Sequence, residues 1–231
     1  MPACHPPAIG SALIRREVSQ RPSTATATMP SPLDRLLAEI RACQLCAAHL
    51  PHGIRPVLQA STTSRLLIVS QAPGRKVHAS GVPFDDVSGD RLRHWLGIDR
   101  AAFYDAQRIA IVPMGFCYPG SGRSGDLPPR PECAPTWHPR LLPLLTQVGL
   151  TLAIGRYAQV GLLGSRAATS LTDTVRDWRT HLARGLLPLP HPSPRNQAWL
   201  KHHPWFEQEL LPVLRERVAT LLAHPMEAAT A

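Results

Sequence analysis

Four short apolar runs, spaced along the chain by helix-length segments, constrain its fold more than any other feature. They are Leu66-Leu-Ile-Val69, Ile109-Ala-Ile-Val112, Leu152-Ala-Ile154 and Leu186-Leu-Pro-Leu189. Unbroken apolar character over three or four residues marks a strand buried on both faces, as in a parallel sheet. Pro188 weakens the fourth run, because proline cannot donate to a ladder. Around these runs the pattern predicts helices over 33–43, 89–96, 139–148, 157–163, 171–184 and 204–222, with another following residue 196. Strands separated by helices give an α/β chain whose parallel sheet is covered on both faces. Ligand sites in such sheets lie beyond the carboxyl ends of the strands. The loops after Val69, Val112, Ile154 and Leu189 are therefore where chemistry is to be sought.

With 231 residues, 44% of them apolar, the chain has ample material for one core. Residues 1–32 read as a disordered tail, 33–222 as the folded domain and 223–231 as a flexible C-terminus. The stretch Ser19–Pro30 has no periodicity and cannot bury a face. Met29 is an alternative start, since Ser31-Pro32 then opens a helix with an N-cap and a proline in its first turn. The longest charge-free apolar stretch runs from Leu141 to Gly155, 15 residues. That is short of the about 20 needed to span a bilayer, so no membrane partner is expected. The N-terminus has no apolar signal core, and the expected location is the cytoplasm, near the nucleoid. A monomer is the expected state.

Lys plus Arg number 25 against 16 Asp plus Glu, a net charge of +9, and only Lys76 and Lys201 are lysines. Such a balance suits a polyanionic partner, and arginine forks suit phosphates and stacked bases. A GC-rich genome, which inflates Arg, Ala and Pro together, explains the same numbers.

Two loops stand out. Ser70-Gln-Ala-Pro-Gly74 leaves the first strand directly, and Pro73-Gly74 forces a turn. Gln71 offers an amide to a base-like edge. Phe84, further along this segment, reads as an aromatic on a loop outside any core pattern. After the fourth strand, Pro190-His-Pro-Ser-Pro-Arg-Asn196 is rigid and poor in N–H donors. His191 and Ser193 thus sit where a site is expected.

Five cysteines in a chain with no secretory signal point to thiols or metal ligands. Cys4 belongs to the tail. Cys43-x-x-Cys46 closes the first helix, and Cys117 and Cys133 bracket a 15-residue loop rich in Gly and Pro. A loop that long usually needs a clamp. Four thiolates can bind zinc or a 4Fe-4S cluster, and spacing does not decide between them.

Taken together these pieces resemble the uracil-DNA glycosylase superfamily, and most of all its iron–sulfur branch. The resemblance runs from about Leu36 to Val218. Cys43-x-x-Cys46 with Cys117 and Cys133 is similar to the branch's cluster cysteines in order and spacing. Gln71-Ala-Pro-Gly74 through Gly81-Val-Pro-Phe84 is similar to its first motif, Leu152-Ala-Ile-Gly155 to its third strand, and His191-Pro-Ser-Pro194 to its second motif. The resemblance implies a three-layer α/β/α fold with a four-stranded parallel sheet, and a structural 4Fe-4S cluster on Cys43, Cys46, Cys117 and Cys133. It implies DNA carrying uracil or a related damaged base as the partner. The base enters a pocket formed by Gln71, Ala72, Pro73, Gly74, Phe84 and Ser193, with Phe84 stacking on it. His191 then donates a hydrogen bond to the leaving base.

The departures are as informative. Basic residues Arg75 and Lys76, with Val77 and His78, stand where the branch is acidic; Arg75, Lys76 and Arg195 become candidates for DNA contacts. The water-activating aspartate of another branch falls at Ala72. The base-reading asparagine falls at Pro113, and the duplex-wedging leucine at Arg195. His78 is the candidate replacement base, because an imidazole titrates near neutrality, with Asp85 and Asp86 as further candidates. The expected activity is hydrolysis of an N-glycosidic bond in damaged DNA. The alternative is a catalytically silent damage-binding protein of the same fold.

Overall fold

The computed structural model describes Met1 and residues 29–123 and 125–223. Most of the expected tail and C-terminus, residues 2–28 and 224–231, lies outside the described residues.

The first helix, α1 (Pro32–Arg41), begins as its sequence dictates. Ser31 accepts from the Asp34 N–H, Asp34 accepts from the Ser31 N–H in return, and Pro32 occupies the first turn. Strand β1 (Leu66–Val69) follows, then α2 (Arg75–Ser80), α3 (Val87–Leu96), α4 (Arg100–Tyr104) and β2 (Ile109–Ile111). A two-residue antiparallel ribbon, β3 (Ser121–Gly122) and β4 (Gly125–Asp126), precedes α5 (Cys133–Leu141). The chain continues through β5 (Leu150–Ile154), α6 (Gly155–Leu163), α7 (Leu171–Arg176), α8 (Trp178–Leu182) and β6 (Leu186–Leu189). It ends with α9 (Gln197–His202), a π-turn over Phe206–Leu210 and α10 (Leu211–Ala223).

The main sheet has the order β2-β1-β5-β6, every pair parallel. Side chains alternate between its faces, so each strand feeds two cores. Leu66, Ile68, Ile109, Ile111, Leu152, Ile154, Leu187 and Leu189 meet α3, α4, the π-turn and α10 on one face. Leu67, Val69, Ala110, Val112 and Ala153 meet α1 and α5 on the other. Burying a side chain of this size contributes roughly 1.5–3 kcal/mol. Exposed pairs such as Arg140–Glu39 and Arg179–Glu209 contribute about 0–1 kcal/mol each. The two apolar layers, not surface ion pairs, therefore hold the sheet between its helices. Pro188 is accommodated because β6 is an edge strand, paired only to β5. The other edge is covered: Gln59 pairs its backbone with Ile111 on the outer side of β2.

Several helices differ from the sequence-based expectation. Segment 75–80, expected as loop, is helical. The helix expected over 139–148 lies instead over Cys133–Leu141 and contains Pro139. Its buried residues Cys133, Ala134, Trp137, His138 and Leu141 form one stripe, and that burial outweighs the prolines. The helix expected over 171–184 breaks at Asp177 into α7 and α8. The loop between Cys117 and Cys133 is not structureless, since it carries the β3–β4 ribbon.

Candidate active site

A cleft of about 310 Å³ opens beyond the carboxyl ends of β1 and β6, where an open parallel sheet concentrates its ligand sites. Its volume is near the lower end of small-molecule sites, which run from roughly 300 to 1,000 Å³. The wall after β1 is Ser70-Gln-Ala-Pro-Gly74 with Val77 of α2; the wall after β6 is His191, Ser193, Arg195 and Asn196. Pro83, Phe84, Asp86 and Ser88 close one side, and Pro113 and Asp126 another. Every pocket residue expected from the sequence, Gln71, Ala72, Pro73, Gly74, Phe84 and Ser193, lines this cleft.

His191 is fixed in one tautomer. The Ser193 N–H donates to its Nδ1 at 3.2 Å, so in the neutral ring the proton sits on Nε2. Desolvation pushes its pKa below the usual imidazole value, and Asp86 and Asp126 oppose that shift. Neutral imidazole with an Nε2–H donor is the resulting state. The loop behind it is braced: Asn196 Nδ2 donates to the His191 carbonyl at 2.7 Å, and Arg91 to the Ser193 carbonyl at 3.1 Å. Gly155 opens α6 at φ +79, and a methyl there would touch His191.

Phe84 lies outside any helix or strand, as its sequence context suggests, yet it belongs to the core: it is 8% exposed and packed edge-on against Phe103 with ring centroids 6.1 Å apart, while still lining the cleft. It is the one non-glycine residue with positive φ among the described residues, at 55°. A bulky residue there is strained, so its surroundings must hold it. The Tyr104 hydroxyl donates to the Phe84 carbonyl at 3.2 Å and accepts from Arg93 at 3.3 Å. Burial raises the Tyr104 pKa, keeping that hydroxyl protonated as a donor. Gly89 lies directly against the same carbonyl, where any Cβ would overlap the oxygen.

The basic candidates divide. Arg75 and Lys76 project from the exposed side of α2, whereas Arg195 lies along the cleft and over Gly125 of the ribbon. His78 does not line the cleft. Its Nε2 donates to the His52 carbonyl at 3.1 Å, and its ring packs against Tyr118 at 5.8 Å. Helical rotation turns Val77 into the cleft and His78 away from it, leaving its expected role as base without geometric support. Asp85 is held by Arg100 at 2.8 Å, which lowers its pKa. Asp86 does line the cleft, and its Oδ1 caps α3 at the Gly89 N–H, 2.9 Å away. Gln71 also has a partner, since its Nε2 donates to the Leu127 carbonyl at 3.3 Å. Asp126 was not anticipated; an Asp beside Gly125 in a Gly/Pro-rich loop reads as ordinary turn chemistry.

On the other side of the β1 turn, Cys43, Cys46, Cys117 and Cys133 line one small cavity whose walls include Ile40, Leu50, Phe116 and Trp137. The Leu45 N–H points at Cys43 Sγ (3.5 Å) and the Phe116 N–H at Cys133 Sγ (3.4 Å). Burial pushes the thiols of Cys46 and Cys117 up, and that of Cys133 up to about 12. No group of three or more His, Cys, Asp or Glu side chains is gathered closely enough to hold a metal ion among the described residues. No helix among them is long and apolar enough to cross a membrane.

The parallel sheet, the cleft beyond it and the paired wall loops define an α/β protein with a small-molecule-sized ligand site at the strand ends. Residues 58–215 match the family model described as Uracil DNA glycosylase superfamily, and the chain belongs to that superfamily. Membership makes it a DNA glycosylase-like protein of the hydrolase kind, with DNA as its class of partner.

Proposed function

We infer that this protein excises uracil, or a related damaged base, from DNA by hydrolysing the N-glycosidic bond. The observation that carries this reading is the pairing, in one cleft, of the Phe84 ring with a neutral His191 whose free proton is on Nε2. An extruded base stacks on Phe84, which offsets the few kcal/mol of unstacking. Charge developing on the base as it leaves is met by the oriented Nε2–H donor. Such preorganised donors are worth roughly a hundred- to a thousandfold in rate. Arg75 and Lys76 contact the phosphate backbone outside the cleft, and Arg195 contacts it at the cleft wall. The protein acts in the cytoplasm on chromosomal DNA.

Cys43, Cys46, Cys117 and Cys133 hold a 4Fe-4S cluster in this reading. Support comes from four thiols around one apolar cavity, two of them receiving backbone N–H groups. Zinc is the alternative occupant, since four thiolates suit either group. When bound, the cluster supplies a cross-link between α1, the ribbon loop and α5.

The test is single-turnover release from an oligonucleotide carrying one uracil, with His191→Ala alongside. The expected result is abasic product from the parent, a loss of at least about a hundredfold in the variant, and DNA binding retained. Equal rates in both proteins would remove His191 from the chemistry. A second reading, a silent damage-binding protein, is favoured by Ala72 and Pro113, which line the cleft where the resemblance expects a carboxylate and an asparagine. DNA binding with no product from any damaged base would establish it.

A further inference from the structure

We propose that Asp126 is the catalytic carboxylate of this cleft, activating the water that attacks the sugar; this rests on the glycosylase reading above. The β1 wall offers only a methyl group at Ala72, so a base for water must come from elsewhere. Asp126, at the end of β4, lines the same cleft from the ribbon. A methyl group at Gly74 would come within 3.2 Å of its Oδ2. The carboxylate therefore sits against Gly74, in the turn that follows Ala72.

Its orientation is set by a chain of hydroxyls. Ser121 Oγ donates to Asp126 Oδ1 at 3.0 Å, and lies 2.6 Å from the hydroxyl of Tyr118, a fully buried residue. Each hydroxyl has one proton, so Tyr118 donates to Ser121 as Ser121 donates to Asp126. Oδ2 has no hydrogen-bond partner among the described residues, and Asp126 lines the cleft. Asp126 also lies close enough to His191 to act on it electrostatically. The other cleft carboxylate, Asp86, already spends Oδ1 on the cap of α3.

The step balances without a further reagent. Water gives a proton to Asp126 Oδ2 as its oxygen bonds to the anomeric carbon. The bond from that carbon to the base nitrogen breaks, and its electron pair leaves with the base, which His191 Nε2–H stabilises. Asp126 is exposed at the cleft rim and returns its proton to solvent.

The experiment compares parent, Asp126→Asn, Asp126→Ala and Asp86→Asn in single-turnover release from the uracil oligonucleotide, with affinity measured on the same DNA. Thermal melts show that each variant folds. Loss of a general base lowers the rate roughly a hundred- to ten-thousandfold. That loss is expected for Asp126→Asn at unchanged affinity, with partial recovery of Asp126→Ala by added formate, which replaces the carboxylate but no structural role. A parent that releases base while Asp126→Asn stays within tenfold of it overturns this proposal alone. So does a folded Asp86→Asn variant that loses the rate at unchanged affinity while Asp126→Asn keeps it. A parent that releases no base overturns the glycosylase reading, and this proposal with it.

Discussion

At the scale of single residues, the cleft depends on two backbone features that no side-chain chemistry can replace. The Phe84 carbonyl is clamped between Tyr104 and Gly89, in a conformation that a phenylalanine adopts only under constraint. Gly89→Ala forces backbone apart from backbone, unlike a clash with the tip of a flexible chain. It is expected to lower stability by about 2–4 kcal/mol, read as a lower denaturant midpoint, and to slow base release by displacing the stacking ring. Two histidines carry a second prediction. Desolvation lowers the pKa of His191 and of His138, whose Nε2 donates to the Pro113 carbonyl at 3.0 Å. Both should titrate below the usual value of about 6.5 in a histidine NMR titration, and a value at or above it for either would contradict the burial argument. The sign follows. Between the folded and unfolded values the unfolded chain binds more protons, so stability falls as pH drops through 6.5 toward the folded value.

At the scale of elements, the thiol cavity is lined from α1, its following turn, the start of the ribbon loop and α5. Single serine replacements at Cys43, Cys46, Cys117 or Cys133 should each lower the melting temperature of the loaded protein. An unchanged melt for all four would show that no metal group joins them. Loading should release protons, because the buried thiols are otherwise held protonated. The strands were legible in the sequence because burial on both faces writes an unbroken apolar run, as at Leu66–Val69. The cysteine grouping was legible because thiols are scarce enough for spacing to carry information. Helix α2 was not, since six residues opened by Gly74 and closed by Gly81 look like a turn. The core packing of Phe84 left no pattern in the chain because its partner Phe103 is distant in sequence. Asp126 was invisible for a related reason: its place opposite Gly74 arises from ribbon pairing, which leaves no period in the chain.

At the scale of the whole molecule, a net charge of +9 predicts how strongly salt controls DNA binding. If Arg75, Lys76 and Arg195 each neutralise one phosphate, the logarithm of duplex affinity should fall with log salt at a slope of about −2.7, reduced by about 0.9 in Lys76→Ala. A slope near zero would mean that the surplus charge has no part in recognition. The two cavities also differ in how the chain assembles them. The thiol cavity is lined entirely by residues from Ile40 to Trp137, whereas the cleft waits for His191 and Asn196. On a ribosome, the last wall residue of the first is joined 54 residues before His191 (191 minus 137). At about 5–20 residues per second that interval lasts roughly 3–11 s. The nascent chain thus owns all of its thiol pocket while it still lacks the histidine wall, and its cleft is the later of the two cavities to be completed.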